Sequence, residues 1–338
     1  MRLLVTGGLG FIGSNFVRHV LAEHPRVRVV NLDLRTYAGN PANLADVRDN
    51  PRYRWVKGDI ADASAVARCM AGAQAVVHFA AETHVDRSIQ DAGAFLRTNV
   101  LGTDVLLRAA LKNKVERFVH VGTDEVYGSV PKGFSKETDR LWPNSPYAAS
   151  KAAADLLARS YFVTHGLPVI VTRASNNFGP YQFPEKALPL LITNWIDDQP
   201  FPLYGDGRQV RDWLYVLDHV RALDLILRRG KPGEIYNVAG GRSCANKEII
   251  DRVRRLMGKP NTLVRPVADR PGHDRRYALN FSKLKKLGYR PAYGFAEALS
   301  RTVDWYRDNE EWWRPLKKGG GYLAYYRRQY AARLGAAS

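Results

Sequence analysis

Two cysteines, Cys69 and Cys244, are all that 338 residues carry, and neither belongs to a CxxC pair. That scarcity excludes a disulfide scaffold or a cysteine zinc site and suits a reducing compartment. Long hydrophobic runs are also missing. No window of about 18 uncharged apolar residues occurs, so no transmembrane helix is expected. The opening residues Met1 to Gly7 run into glycines too early for a secretory core and cleavage site. A soluble, cytoplasmic protein is the expectation. Acidic residues are short against basic ones, 33 to 51, leaving a formal charge of +18. Such a surface attracts polyanions. Yet the arginines are scattered (Arg52, Arg97, Arg159, Arg228, Arg301, Arg333), with no zinc-finger spacing, aromatic RNA-binding motif or basic amphipathic stripe. Base reading needs such an element, so nucleic acid is not an expected partner. The charge suits a site for phosphorylated ligands instead. His84 and His273 lack ligand spacing, and no metal is expected.

What is present is ordinary globular composition, 45% hydrophobic and 25% charged, at a length for one large domain or two coupled lobes. Short apolar runs at Leu3–Val5, Val27–Leu32, Ala75–Phe79 and Arg117–Val121 read as buried strands. Helix-period segments near 13–22, 63–70 and 94–113 alternate with them. Strands this apolar are covered on both faces, which predicts an α/β fold, a doubly wound, mostly parallel Rossmann-type sheet. Another helix–strand unit follows, Tyr147–His165 and Val169–Thr172. Beyond Ser175 the prolines multiply and a smaller α/β lobe is expected. Strand and helix signals return at 210–238, and helices are expected near 246–257 and 294–309. The predicted division is 1–175 plus about 207–238 for one lobe, and about 176–206 plus 239–338 for the other. The basic, tyrosine-rich tail from Lys317 reads as a loosely docked terminus.

After the first strand, Gly7, Gly10 and Gly13 open the first helix with GxxGxxG spacing. Such a loop needs a tight turn, backbone approach to a pyrophosphate and close helix–strand packing. The helix N-terminus offers free N–H groups to the phosphates. Asp33 ends the second strand 20 residues after Gly13, where a carboxylate bonds a ribose diol and repels a 2′-phosphate. Arg35 beside it does not readily cradle a 2′-phosphate, so the expected cofactor is NAD. For Asp59, two readings stay open: acceptance from the adenine amino group with Ile60 against the ring, or a simple turn aspartate.

Tyr147 and Lys151 stand four residues apart at a helix start, on one face and one turn apart. A nearby ammonium favours phenolate and is expected to lower the tyrosine pKa. A phenolate is the base that removes a hydroxyl proton while hydride leaves the same carbon. With Thr123 at the end of the fourth strand, this set resembles the extended short-chain dehydrogenase/reductase family. The run Thr123-Asp124-Glu125-Val126-Tyr127-Gly128 is similar, more narrowly, to the nucleotide-sugar 4,6-dehydratases. So are the stretches Ala80–Ser88, Asn176–Tyr181, Pro184–Lys186, Pro202–Gly207, Arg211–Trp213 and Arg270–Asp274. The likeness runs from Met1 to about Lys317.

The resemblance implies NAD-dependent dehydration of a nucleotide hexose, dTDP-glucose foremost, by a homodimer paired through helices near 94–113 and 147–165. It implies Thr123, Asp124, Glu125, Tyr147 and Lys151 as the catalytic set, with Asp124 the acid at C6 and Glu125 the base at C5. For the cofactor it implies Gly7, Gly10, Phe11, Ile12, Gly13, Asp33, Thr36, Asp59, Ile60, Ala80, Ala81, Thr98 and Asn177 together with Tyr147 and Lys151. For the substrate it implies Thr83, His84, Asn176, Lys186, Ala187, Pro202, Tyr204, Arg211, Asn246, Arg270 and His273. Ala187 stands where leucine is usual beside the nucleotide, and Phe178 where tyrosine is common. Adjacent carboxyl groups on a strand point to opposite faces, so the chain is expected to bend at Thr123. The alternatives are dehydration of another nucleotide hexose such as UDP-glucose, a nucleotide-sugar epimerase or decarboxylase, and a non-enzymatic NAD-binding protein.

Overall fold

The computed structural model describes residues 1–331; positions 332–338 of the expected second lobe lie outside the described residues. Six strands run in chain order: β1 (Arg2–Thr6), β2 (Arg28–Asp33), β3 (Tyr53–Lys57), β4 (Ala75–His78), β5 (Arg117–Thr123) and β6 (Val169–Ala174). Then come β7 (Asn176–Phe178), β8 (Phe201–Tyr204), β9 (Val210–Tyr215) and β10 (Ile235–Val238). The central sheet has seven strands in the order β10-β6-β5-β4-β1-β2-β3, and every pairing in it is parallel. Alternate residues explain why it is buried on both sides. Leu3, Val5, Val77 and Val119 pack with Phe16 and Val20 of the helix Phe11–Glu23 and Leu223 and Ile226 of the helix Val216–Arg229. Leu4, Val76, Phe118 and Val171 pack with Val66, Leu106, Leu107 and Ala158 on the opposite face. Fully burying one such side chain is worth about 1.5–3 kcal/mol. This is the doubly wound Rossmann-type sheet expected.

The smaller lobe adds β11 (Ser243–Ala245) and β12 (Val264–Val267). β11 and β7 flank β9 of the 207–238 segment in a three-stranded sheet β11-β9-β7, and β12 pairs with β8 in a two-stranded sheet. Helices Ala187–Ile196, Asn246–Met257 and Phe295–Asp308 surround a second core built on Trp195, Val253, Tyr306 and Trp313.

Two segments differ from expectation. The helix expected over 94–113 is interrupted by a π-helical turn, Leu96–Gly102. A side chain at Gly102 would sit 2.7 Å from Ile60, so glycine there lets the helix close on the strand-end loop. Such wide turns occur often at functional sites, and this one places Asn99 to donate to Ser150 Oγ (2.9 Å) on the helix of Tyr147. The tail is not loosely docked. Gly320–Tyr326 is helical, and Tyr322, Tyr325, Gln329 and Tyr330 are buried. Tyr325, Gln329 and Tyr330 find partners in His84, Asp86 and Tyr204, a long-range gain that composition does not reveal.

Candidate active site

β1 and β4 are neighbours from which the chain departs in opposite directions, the place where open α/β sheets take ligands. A cavity of about 310 Å³ opens there at the C-terminal ends of the strands. The glycine loop forms one wall because nothing larger fits. Gly7 has φ +73°, and a Cβ on it would stand 2.6 Å from Ala80 N. A Cβ on Gly13 would lie 2.3 Å from the Gly7 carbonyl oxygen. Gly8 N donates to Asn31 Oδ1 (2.9 Å) and Leu9 N to Asp33 Oδ2 (2.9 Å), so β2 holds the loop in place. Asp33 also accepts from Arg35 N at 2.7 Å. Burial pushes its carboxyl up while these two amides pull it back. Arg35 takes φ 59°, a bend at the strand end rather than a phosphate cradle. Phe11, Ile12, Thr36, Ile60, Ala81, Thr98 and Asn177 line the same cavity. Asp59 lines it too, and its carboxylate accepts from Ala61 N (2.8 Å) and Arg97 Nη1 (2.6 Å), a turn bond with an added ion pair. The side-chain-free approach at Gly7 and Gly13 and the acid across from it fit a dinucleotide.

The reacting end lies where β5 stops. Thr123 ends the strand and its hydroxyl accepts from Glu125 N (3.3 Å), capping a 3₁₀ turn Asp124–Tyr127. The chain bends as expected, and both residues line the cavity. Their environments differ. Asp124 is buried with Oδ2 unpartnered, and burial together with the Glu125 charge holds its carboxyl well above the usual range. Glu125 is half-buried and raised by burial, but Arg270, Lys186 and Arg211 oppose the rise. The helix Pro146–His165 begins on Ser145, whose Oγ accepts from Ala148 N (3.1 Å), with Pro146 in its first turn. That start places Tyr147 in the cavity wall. Its backbone N–H donates to Ser88 Oγ at 3.1 Å.

One expectation fails here. The Tyr147 phenol is pushed up by burial and by Glu125, with a hydrogen bond from Thr123 pulling the other way. Lys151 does not offset this: it lies below the wall and its Nζ donates to Val121 O at 2.8 Å. Burial brings Lys151 itself down to about 8.

A second cavity of about 200 Å³ adjoins the first, sharing Glu125, Asn176, Asn177 and Lys186. His84, Ala187, Pro202, Tyr204, Arg211, Asn246, Arg270 and His273 line it, and Thr83 lines the first. The sequence-predicted residues are thus brought together in one double cleft, with Lys151 alone behind its wall. The cations here are already held. Arg270 Nη1 donates to Asp86 Oδ1 (3.0 Å), leaving Nε unpartnered. Arg211 donates to Val210 O (2.8 Å) and Asp274 O (2.9 Å) and lies over the Tyr277 ring. Lys186 Nζ donates to Thr83 O at 2.9 Å. His273 is paired with Asp269 at 2.6 Å, and burial takes it down to about 4.

Sequence reasoning missed the acids and the tail that organise this wall. Asp86 accepts from Arg270, from Tyr204 (3.0 Å) and from Tyr325 (3.2 Å). Glu185 accepts both arms of Arg87, at 3.1 and 2.8 Å. Gln329 donates to the Tyr204 hydroxyl at 2.6 Å, and Tyr330 lines the cavity against the Tyr204 ring. The excess of tyrosine after Gly321 was the available signal.

With the geometry in place, similarity to known proteins is decisive. The sequence pattern of GDP-mannose 4,6 dehydratase matches residues 4–302. The chain belongs to that family. It is 56% identical over 324 residues to a dTDP-glucose 4,6-dehydratase of Streptomyces antibioticus, covering 94% of this chain and 96% of the other. The enzyme of the same description from Streptomyces niveus is 52% identical, with 94% and 96% covered. The crystal structure of DesIV, a dTDP-glucose 4,6-dehydratase from Streptomyces venezuelae solved with NAD bound, superimposes with a TM-score of 0.92 at 54% identity, covering 94% of this family member and 100% of DesIV.

Proposed function

We propose that this dehydratase-family chain converts dTDP-glucose to dTDP-4-keto-6-deoxyglucose and water, as a hydro-lyase using NAD. The observation that carries the reading is the pair Asp124 and Glu125, adjacent in sequence yet held in unlike environments beside Tyr147 and the glycine loop. When bound along that loop, NAD supplies a place to store the C4 hydride and return it at C6. Tyr147 takes the C4 hydroxyl proton as that hydride leaves, acting through its phenolate form, which the hydrogen bond from Thr123 favours against burial and the Glu125 charge. The C4 ketone acidifies the C5 hydrogen. Glu125, whose rise on burial is opposed by Arg270, Lys186 and Arg211, removes it as a base. Asp124, whose carboxyl burial holds well above the usual range, delivers its proton to the departing C6 hydroxyl, which leaves as water. Glu125 then returns its proton to C5, and the proton taken by Tyr147 makes good the one Asp124 gave. Two carboxyl groups with separated pKa values suit this division of acid and base work. Lys151 is the buried cation of the Tyr147 helix. An epimerase would need no such acid–base pair.

In this reading the second cavity holds the nucleotide diphosphate, with Arg211 and Arg270 toward phosphate oxygens and Tyr204, Ala187 and Pro202 toward the base. The lobe division at 1–175 plus 207–238 goes with it. A twofold homodimer is part of the proposal, supported by exposed Leu96, Leu101, Leu156 and Val163 on the two helical segments expected to pair. A cytoplasmic location goes with the two buried free thiols, Cys69 and Cys244. No helix among the described residues is long and apolar enough to cross a membrane.

The test is incubation of the purified protein with dTDP-glucose, UDP-glucose, CDP-glucose and GDP-mannose, with products identified by mass. A keto sugar 18 mass units lighter (about one water) from dTDP-glucose is expected. One methyl in an apolar pocket discriminates about 10–200-fold, so kcat/KM for dTDP-glucose exceeds that for UDP-glucose within this range. A ratio at or below one overturns the nucleotide and leaves the dehydration standing.

A further inference from the structure

Behind the reacting residues runs a buried chain of polar side chains that the mechanism above does not use. It begins at Asp155, two turns along the helix that starts with Tyr147. Arg173, on β6, donates from Nε to Asp155 Oδ2 at 2.8 Å and from Nη1 to the Tyr127 hydroxyl at 2.8 Å. Tyr127 closes the 3₁₀ turn that carries Asp124 and Glu125, and its hydroxyl donates to Asn237 Oδ1 at 2.8 Å. Both ends of the chain thus belong to elements that hold reacting groups.

The sheet register explains how one arginine spans them. Arg173 pairs with Gly122 of β5 on one side and Asn237 of β10 on the other. A Cβ at Gly122 would lie 3.0 Å from Asp155 Oδ1, so the missing side chain lets the carboxylate sit directly behind the residue preceding Thr123. His120 Nε2 stands 3.3 Å from the same carboxylate, and burial keeps that imidazole neutral. Arg173 is therefore the one full counter-charge bonded to Asp155 among the described residues. Its guanidinium has donors in a rigid planar fork, so two bonds made in different directions fix two elements against each other. Arg173 and Asp155 are both almost fully buried, and leaving either unpaired is costly.

We infer that Asp155, Arg173 and Tyr127 form a positioning bridge that holds the Asp124–Glu125 turn in register with the Tyr147 helix. The two half-reactions act on neighbouring carbons of one sugar, Tyr147 at C4 and the carboxyl pair at C5 and C6. A displacement near 1 Å between reacting groups can cost about 100-fold in rate. The bridge sets that distance without touching substrate. This inference rests on the dehydration reading.

The test uses the holoenzyme with Tyr127→Phe, which removes one hydroxyl and leaves the Arg173–Asp155 pair intact. In the substrate-free enzyme, amide exchange of residues 124–127 is expected to rise about tenfold while residues 147–158 stay protected, since release of the turn is a local opening. In single turnovers, C4 oxidation, read as reduced-cofactor absorbance, should stay within about twofold. Water loss should slow by about 30–100-fold, so the reduced cofactor accumulates. Asp155→Asn, which weakens the other end, should slow oxidation more than elimination. Equal slowing of both steps in Tyr127→Phe, or unchanged exchange at 124–127, overturns the bridge. If the parent enzyme leaves every nucleotide sugar unchanged, the dehydration reading falls, and the exchange comparison alone still decides whether the three residues fix the turn.

Discussion

The two halves of the cleft are made in different ways. The cofactor side is backbone: glycines that admit a close approach, a helix start, and one acid tied down by two amides. The side proposed to take the nucleotide is a charged mesh in which Arg270, Tyr204 and Tyr325 converge on Asp86 while Arg87 clamps Glu185. A backbone site is set by local sequence and resists change at single glycines. A mesh is assembled from segments 98 to 239 residues apart and can be weakened bond by bond. Between them sit Asp124 and Glu125, to which the proposed mechanism gives the acid and base work.

The largest effect should come from the point where the halves meet. Glu125→Gln keeps the size of the side chain and removes the base, so water loss should fall by about 10²–10⁴-fold. Oxidation at C4 should persist, because Tyr147 serves it. Rapid-quench product analysis alongside cofactor absorbance separates the steps. Near-normal dehydration would remove Glu125 from the role and leave the difference between the halves without its junction.

Breaking the cofactor side alone takes one methyl. Gly13→Ala places a Cβ 2.3 Å from the Gly7 carbonyl, a contact that backbone must relieve by moving. The loop that faces the pyrophosphate should open, and NAD retained through purification should fall at least tenfold, measured in the denatured supernatant. Binding of dTDP by calorimetry should change little. Equal loss of both ligands would mean that the halves are not independent.

These features were unequally legible. Gly7, Gly10, Gly13, Asp33, Tyr147 and Lys151 announce themselves because their spacing is dictated by one loop and one helix turn. β1, β2, β4, β5 and β6 were readable because both faces of the sheet are covered there and each run is apolar, whereas the half-exposed edge strand β3 carries no such run. The acids Asp86 and Glu185, the π-helical turn at Leu96–Gly102 and the docked tail were not readable, because each gains its partners from distant segments. Tyr147 marks a different limit. Its spacing from Lys151 was correct, yet burial and Glu125 outweigh any help from an ammonium that bonds Val121 instead. Sequence separation fixes which face a side chain shares, not which acceptor it chooses.

On the nucleotide side the mesh can be loosened gently. Gln329→Ala removes the donor to the Tyr204 hydroxyl while leaving Tyr330 against the ring. One neutral hydrogen bond contributes about 0.5–1.5 kcal/mol, so KM for dTDP-glucose should rise by about two- to tenfold. The limiting kcat and the bound NAD should hold. A fall in kcat at unchanged KM would place the tail in the chemistry rather than in nucleotide capture.

The smallest effect lies behind the cofactor side, where Asp224 joins the two helices that cover one face of the sheet. Its Oδ2 stands 2.8 Å from His24 Nε2 and 3.5 Å from His19 Nε2, and Arg228 donates to Oδ1 at 2.9 Å. Burial alone would raise this carboxyl, but the bonds from His19 and His24 and the Arg228 charge bring it down to about 2. A folded-state pKa below the unfolded value means that the ionised form is the one folding favours. The contribution is therefore full above the ordinary aspartate range near 4 and disappears as pH falls from there toward 2. The shift is worth about 1 kcal/mol after allowance for solvent screening of its partly exposed partners. Asp224→Asn should accordingly lower the denaturation midpoint at pH 7 and flatten the loss of stability between pH 4 and 2, the window set by that shift. Because the clamp touches neither cavity's reacting end, NAD content and KM for dTDP-glucose should stay at parent values at pH 7. A variant that loses NAD at neutral pH would show that the cofactor loop depends on a side-chain network after all, as the nucleotide side does.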